Sequence, residues 1–182
     1  YLALLHNNSN HCLNIINDLL KEEHIQAPEI SVKTSRVEIV EAVNIIYQNL
    51  KKTYKDRNFT FDASGSVYTY ADGFKFLQVI NNLLSNAIKF TDHKQAISIT
   101  VRKHDTEAII TIADQVMGIP DVLKPFIFDR HSIAGRTGLK GEKSSGLGLF
   151  ISKKLVGLLQ GRIWFESEEN KGSAFHFTLP VF

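Results

Sequence analysis

The sequence has few cysteines, no long apolar run and little net charge, and each of these features disfavours a class of protein. A single cysteine, Cys12, stands among 182 residues, so an internal disulfide is excluded and a reducing compartment is favoured. No apolar run approaches the roughly 18 residues that a membrane-spanning helix needs. The formal net charge of +2 is too small to indicate a nucleic acid or an anionic membrane as a partner. We therefore expect a cytoplasmic domain that binds no nucleic acid. The sequence leaves open whether a longer parent protein is anchored in the inner or plasma membrane.

The remaining composition is typical of a globular domain. Of the residues, 43% are apolar and 22% are charged, so a sizeable core is expected. The length fits one domain with an appended element. The first proline, Pro28, marks a joint in the chain. We therefore predict an N-terminal element at residues 1–27 and a domain at residues 28–182.

Residues 1–23 have the spacing of a helix that pairs with another helix. Side chains of one stripe recur in alternating steps of three and four at Leu2, Leu5, Ser9, Cys12, Ile16 and Leu19. One interpretation is an amphipathic helix that lies on its own domain. The pattern is already running at Tyr1 without a capping residue, which favours a severed helix of a helical bundle.

Downstream, patterns of period two alternate with patterns of helical period. The predicted elements are a strand at residues 30–33, a helix through Val40, Val43, Ile46, Tyr47 and Leu50, strands at "NFTFDA" and "VYTYAD", a helix over about residues 73–91, a hairpin of "ISITVR" and "AIITIAD", a helix through Ile151, Leu155, Leu158 and Leu159, and a hairpin of "GRIWFESE" and "SAFHFTLP". About six strands and three helices with mixed connections predict an α/β (α+β) two-layer sandwich. Its sheet would be mixed but mostly antiparallel, with helices covering one face.

The helix predicted at residues 73–91 carries amides where a core helix would carry none. At 100° per residue, Gln78, Asn82, Asn86 and Lys89 share a narrow arc, and most of the remaining circumference is apolar. Amide oxygens are hard, neutral ligands of the kind that Mg²⁺ accepts together with phosphates and water, and a lysine can meet phosphate. The alternative, which is commoner for an isolated Asn pair, is a solvated polar edge.

The segment "ADQVMGIP" follows an apolar strand. A carboxylate at the strand end, Asp114, can accept a hydrogen bond from an exocyclic amine, and Gly118 would let a flat ring approach the backbone. The alternative is an ordinary turn that contains Asp and Gly.

The segment "SSGLGLFISKKLV" places Gly146 and Gly148 at the start of a helix, where unpaired backbone N–H groups form an anion site. The preceding "GRTGLKGEK" carries Arg136, Lys140 and Lys143 among glycines, which is typical of a mobile basic lid over phosphates. The alternative is a surface loop whose charges are solvated.

These segments, in this order, resemble the catalytic ATP-binding domain of sensor histidine kinases, in the clan that also holds gyrase-type topoisomerases and ATP-dependent chaperones. "QVINNLLSNAIKFT" resembles the asparagine box and "DQVMGIP" the first glycine box. "IFDRHS" resembles the phenylalanine box, "GRTGLKGEKSSGLGLFISKKLV" the lid and second glycine box, and "KGSAFHFTLP" the closing motif. The resemblance covers about residues 30–182. "LNIINDLL" is similar to the second helix of the family's dimerisation and phosphotransfer hairpin.

The resemblance implies a Bergerat-type fold that binds ATP and Mg²⁺. Asn86 would hold the metal, Asn82 would shape the same pocket and Lys89 would face the phosphates. Asp114 would bond the adenine amino group, above a floor at Gly118. The full set of ATP-binding residues implied is Asn82, Asn86, Lys89, Asp114, Gly118, Ile119, Lys140, Ser145, Gly146, Leu147, Gly148 and Leu149.

The resemblance also implies a reaction and partners. The chain would be part of a protein-histidine kinase, a transferase of a two-component phosphorelay that passes the γ-phosphoryl of Mg-ATP to a histidine. None of the chain's own histidines fits the family's acceptor motif; His6 and His11 precede Asn7 and Cys12, and His104 lies in a predicted turn. We therefore expect the acceptor on a segment outside this chain. The implied partners are that segment, a second copy bound through the N-terminal helix, and a response regulator.

Two departures from the family pattern support alternatives. Val116 stands where the first glycine box usually has glycine, and His131 where the phenylalanine box usually has a second aromatic. If position 116 needs a positive φ, a β-branched residue fits it poorly. One alternative is therefore a dimeric signalling module impaired in nucleotide binding. A second alternative is an ATPase of the gyrase or chaperone branch. The helix-pairing pattern at residues 2–19 disfavours it.

Overall fold

Two sheets and three α-helices form the part of the chain that the computed structural model describes, which is residues 31–92, 95–130 and 146–182. In chain order the elements are β1 (Ser35–Glu38), α1 (Ile39–Thr53), β2 (Asn58–Ala63), β3 (Tyr68–Ala71), α2 (Gly73–Phe90), β4 (Ala96–His104), β5 (Glu107–Asp114), a 3₁₀ helix (Asp121–Phe126), α3 (Gly148–Leu158), β6 (Ile163–Glu168) and β7 (Gly172–Pro180). Within these ranges no helix is both long and apolar enough to span a bilayer.

The main sheet has the order β2-β4-β5-β7-β6. β2 runs parallel to β4, and the other neighbouring strands are antiparallel. A second, two-stranded sheet pairs β1 with β3. The prediction of a mixed, mostly antiparallel sheet is confirmed. Both predicted hairpins form, and the tight β4–β5 turn holds Asp105 at φ 52, a left-handed conformation that Asp tolerates.

The central strands alternate between a buried and a more open face. The buried apolar side chains of β4, β5 and β7 are Ile97, Ile99, Val101, Ala108, Ile110, Ile112, Phe175, Phe177 and Leu179. They face the helical layer, as the Phe76 ring of α2 lies 6.2 Å from the Phe177 ring, centroid to centroid. Phe175, Phe177 and Leu179 alternate along β7, so all three lie on this core face.

On the opposite face of the sheet, Trp164 of β6 stacks on His176 of β7, with ring centroids 5.1 Å apart and an interplanar angle of 17°. His176 Nδ1 lies 2.9 Å from the hydroxyl oxygen of Thr111. Burial lowers the pKa of His176, and the charge of Glu166 opposes this shift. We therefore expect a neutral imidazole in this stack at neutral pH.

Helix α2 begins at a buried aspartate. The Asp72 carboxylate accepts hydrogen bonds from the backbone N–H of Phe74 (3.1 Å) and Lys75 (3.2 Å), and Lys75 Nζ lies 2.8 Å from it. Burial alone would raise the pKa of Asp72, but the hydrogen bonds from Lys75 and Lys33 hold it below its ordinary value of 3.8. This N-cap fixes where the helix starts, and therefore which of its side chains face the core. The core-facing set is Phe76, Val79, Ile80, Leu83, Leu84 and Ala87.

The predicted strand at residues 30–33 is wrong in the part that can be compared. Residues 31–34 belong to no strand, and the strand lies instead at Ser35–Glu38. Its position is set by pairing with β3, from Ser35 opposite Ala71 to Glu38 opposite Tyr68, a contact between distant parts of the sequence. Glu38 then caps α1, because its carboxylate accepts from the backbone N–H of Val40 and Glu41.

Several predictions lie outside the described residues. These are the N-terminal helix within residues 1–27 and the lid, together with Lys140, Ser145 and His131. The boundary between residues 27 and 28 also stays a prediction.

Candidate functional site

The amide stripe of α2 faces the start of α3. Asn82 Nδ2 donates to the backbone carbonyl of Gly148 at 3.3 Å and lies 3.4 Å from Ser152 Oγ. The Ser152 hydroxyl donates to the same Gly148 carbonyl at 2.9 Å. Ser152 is fully buried, so these contacts lie between the two helices rather than in solvent. Asn82 therefore belongs to an interhelical polar contact and not to a solvated edge.

Asn86 and Lys89 continue this stripe toward the C-terminal end of α2. Asn86 is one turn beyond Asn82, so both amides share a face, and Asn86 and Lys89 are both half-buried. The described residues hold no group of three His, Cys, Asp or Glu side chains suited to a metal ion. A magnesium ion at this face would thus rest on an amide oxygen together with phosphates and water, and that donor set is chemically adequate for Mg²⁺.

Among the described residues, the start of α3 has space beside its first glycine. Gly146 adopts φ 70, and Leu147, which precedes the helix, provides no side-chain cap. A Cβ built on Gly148 would meet no heavy atom of the described residues within 4 Å. The first N–H groups of a helix carry its positive dipole end. The first turn, which includes the half-buried Leu149, has backbone N–H groups that can donate hydrogen bonds to a phosphate.

Asp114 closes β5 in a partly buried position. Its carboxylate accepts from the backbone N–H of Val116 at 3.4 Å and from that of Ser173. Burial raises the pKa of Asp114 to about 6, and the two hydrogen bonds partly offset this. At neutral pH the group is therefore mainly ionised and can accept a hydrogen bond from an amine, whereas at pH 5 it is mainly protonated.

Gly118 is required for a reason that the sequence did not indicate. It is buried with φ 58, and an added Cβ would overlap the backbone of Glu168, at 2.6 Å from the carbonyl carbon. The neighbouring Ile119 is buried, and its N–H donates to Ser167 Oγ at 2.8 Å. The turn between β6 and β7 thus packs directly against Gly118.

Val116 does not have the strained backbone that a glycine position would imply. Among the described residues, the non-glycine residues with positive φ are Asp105, Gln160 and Asn170. The β-branched side chain at 116 therefore carries no left-handed penalty. Its half-buried position beside Asp114 leaves only its volume as a possible obstacle to a ligand.

The structure brings some of the predicted residues together, in two groups. In the first, Asn82 contacts the start of α3, and Asn86 and Lys89 lie on the same face of α2 as Asn82. In the second, Asp114, Gly118 and Ile119 lie against the β6–β7 hairpin. Sequence analysis missed Ser152 and Ser167, which make the buried contacts within these groups. A serine within the apolar "GLFISKKLV" was a signal for the first; nothing in "FESEEN" distinguished the second.

Residues 71–182 match the profile of the family described as "Histidine kinase-, DNA gyrase B-, and HSP90-like ATPase". The match covers more than half of the chain, and the chain belongs to this family. The resemblance stated from the sequence motifs is thereby confirmed.

The curated relatives narrow the comparison to sensor kinases. The chain is 40% identical over 114 residues to the adaptive-response sensory kinase SasA of Gloeothece citriformis, covering 62% of this chain and 28% of the relative. It is 30% identical over 172 residues to SasA of Microcystis aeruginosa, covering 92% and 44%. It is 26% identical over 185 residues to the sensor histidine kinase WalK of Bacillus subtilis, covering 99% and 30%. The chain therefore spans less than half the length of each of these relatives.

Solved structures agree on the fold. The nucleotide-free catalytic domain of histidine kinase ThkA matches with a TM-score of 0.69 at 26% identity, covering 81% of this chain and 97% of that one. Full-length ShkA in complex with AMPPNP matches with a TM-score of 0.83 at 22% identity, covering 100% of this chain and 38% of that one. The two-layer fold predicted from the sequence is that of histidine kinase catalytic domains.

Proposed function

We propose that this chain is the ATP-binding catalytic part of a two-component sensor histidine kinase. It binds Mg-ATP and transfers the γ-phosphoryl group to a histidine outside this chain. The observation that carries the proposal is the hydrogen bond from Asn82 to the Gly148 carbonyl. It holds Asn82 against the start of α3, where Leu147 provides no side-chain cap. This supports one junction for the magnesium ligand, Asn86, and the backbone donors to phosphate.

The phosphate end of the nucleotide is assigned to this junction. Asn86 and Lys89 supply an amide oxygen and a positive charge, and the backbone N–H groups of residues 147–149 supply donors. Asn86 would hold Mg²⁺, which would neutralise part of the triphosphate charge. The protein's part in such a transfer is mainly to position the groups and to stabilise charge.

The base is assigned to Asp114. Its ionised carboxylate accepts a hydrogen bond from the adenine amino group. Guanine carries a carbonyl acceptor at the corresponding position, so its oxygen would face the carboxylate with no proton between the two acceptors. We therefore expect selectivity for adenine over guanine.

The partners follow from the family and from one related assembly. ThkA has been solved in complex with the response regulator protein TrrA. By analogy, this chain would act in a cytoplasmic complex with a response regulator. We also propose that residues 1–27 join two copies and that the acceptor histidine lies in the same parent protein.

The test is a calorimetric titration of the chain with Mg-AMPPNP. The wild type and Asn81→Ala should bind with comparable affinity, since Asn81 is exposed on a different face of α2. Asn86→Ala should lose at least tenfold in affinity with little change in melting temperature, because it removes a charge-assisted ligand contact. A folded wild type that does not bind at millimolar nucleotide would contradict the proposal. Phosphohistidine formed on the isolated acceptor segment after addition of ATP would test the transfer itself.

A second candidate is a signalling module of the same fold that does not turn over nucleotide. The half-buried Val116 side chain favours it, since its backbone N–H already bonds to Asp114 and its volume lies beside the base site. Val116→Gly separates the two. If the site is functional, this change should alter affinity only a few-fold; a gain from millimolar or absent binding would support the impaired module.

A further inference from the structure

The turn between β6 and β7 is interlocked with the loop that follows Asp114. We call residues 115–119 the base loop. The N–H of Asn170 donates to the Met117 carbonyl at 2.8 Å, and Gly118 lies against the backbone of Glu168. On the other strand of the hairpin, a Cβ on Gly172 would be 2.8 Å from the Cα of Gln115. The base loop therefore cannot shift without the hairpin.

One hydroxyl joins both sides of this interlock. Ser167 Oγ accepts from the Ile119 N–H at 2.8 Å and donates to the Gly172 carbonyl at 2.9 Å. It also lies 3.0 Å from Ser173 Oγ. A serine has one proton to donate, so the bond to Gly172 makes the Ser173 hydroxyl the donor in that third contact. All three hydrogen-bonding positions of Ser167 are thereby used.

These contacts lead to Asp114 from two directions. The base loop leaves from Asp114 and ends at Ile119, whose N–H is held by Ser167. The backbone N–H of Ser173 donates to the Asp114 carboxylate, and the Ser173 hydroxyl contacts Ser167. Ser167 is thus bonded to both segments that determine where the Asp114 carboxylate lies.

We propose that Ser167 is a positioning residue for adenine specificity: its hydroxyl sets the base loop and the β6–β7 hairpin in the register at which Asp114 selects the base. The inference deepens the proposed function and rests on it. It goes beyond the family motifs, because Ser167 belongs to none of the segments that carried the resemblance.

The position of the phosphates does not depend on Ser167. That part of the site is held by Ser152 and Asn82 through the Gly148 carbonyl, on other elements of the fold. The two serines therefore predict opposite defects. Loss of the Ser167 hydroxyl should weaken recognition of the base, whereas loss of the Ser152 hydroxyl should weaken recognition of the phosphates.

The experiment measures the dissociation constants of Mg-ADP, Mg-GDP and magnesium tripolyphosphate for the full 182-residue chain and its variants. Ser167→Ala leaves the buried Ile119 N–H without its acceptor, and the base loop relaxes to satisfy it. We expect Mg-ADP to bind about tenfold more weakly, corresponding to loss of one such hydrogen bond. Affinity for tripolyphosphate should be unchanged, and the ratio of ADP to GDP affinity should fall. Ser167→Thr, which keeps the hydroxyl, should restore that ratio.

Two further variants distinguish positioning from general destabilisation. Thr69→Val removes a buried hydroxyl that bonds the Pro180 carbonyl at 2.6 Å, away from both groups of site residues. It should lower the melting temperature without changing the ADP-to-GDP ratio. Ser152→Ala should weaken tripolyphosphate and leave the ratio unchanged. An unaltered ratio in Ser167→Ala would overturn the inference while leaving the proposed function intact. A folded wild type that binds none of the three probes would overturn both.

Discussion

The two glycine-bearing regions of the site differ in what surrounds the missing side chain. At Gly118 and Gly172 the space is filled by the backbone of a neighbouring segment, and both glycines have positive φ. At Gly148 no heavy atom of the described residues lies within 4 Å of an added Cβ, and the backbone is helical. The fold itself therefore requires the first two glycines. Packing among the described residues gives no reason for the third, and the proposed phosphate site does.

The largest difference between the two regions should appear in stability. Gly118→Ala would force a Cβ into the backbone of Glu168 at a left-handed φ, so we expect the free energy of unfolding to fall by about 4 kcal/mol. Gly65→Ala is the matched control, because Gly65 also has positive φ (73) but open space around it. That variant should lose only about 1 kcal/mol, the cost of the backbone conformation alone. Urea denaturation measures both losses. Equal losses would contradict the claim that overlap with the Glu168 backbone adds to the cost at Gly118.

The region around Asp114 should also show a stability that depends on pH. The carboxyl of Asp114 has a pKa of about 6 in the fold against 3.8 in the unfolded chain. The folded state therefore binds the extra proton between these values, and wild-type stability should fall as pH rises from about 4 to about 6. Asp114→Asn keeps an acceptor for the Val116 N–H and removes the buried charge.

We expect Asp114→Asn to stabilise the domain at pH 7.5 by up to about 3 kcal/mol and to gain nothing at pH 4. Selectivity for adenine should be lost at the same time. Melting temperatures of both proteins across this pH range provide the check. A gain that is the same at all pH values would mean that burial of the ionised carboxylate is not its origin.

At the start of α3 we expect the opposite of the result at Gly118: substitution should affect nucleotide binding more than stability. Gly148→Ala places a methyl group at the open start of α3, and we expect Mg-AMPPNP to bind at least tenfold more weakly. Stability should change by no more than about 1 kcal/mol, in the favourable direction, because alanine is the better helix former. Gly157→Ala is the control on the same helix, since its Cβ would also meet open space. It should give a similar stability change with no loss of affinity; unfolding of Gly148→Ala would invalidate the contrast.

Elements with long, regular patterns could be predicted closely from the sequence. Helix α2 was expected over about residues 73–91 and lies at Gly73–Phe90. The β4–β5 hairpin and the core face of β7 also follow their patterns, because local hydrophobic period and turn chemistry decide them. The order of the motifs was sufficient to identify the family.

Features that depend on contacts between distant segments could not be predicted. β1 is a strand only because it pairs with β3, and its four residues have no pattern of their own. Gly118 could be recognised as important, but its neighbour Glu168 lies fifty positions further along the chain. Ser167 acquires its role from the same approach of the β6–β7 turn.

The stack of Trp164 on His176 has a practical consequence. Trp164 is the chain's sole tryptophan, and it sits on the strand that ends beside Ser167. Selective excitation of its indole therefore reports on one hairpin, without any label. Loosening of that hairpin would be visible in the emission spectrum before the whole domain melts.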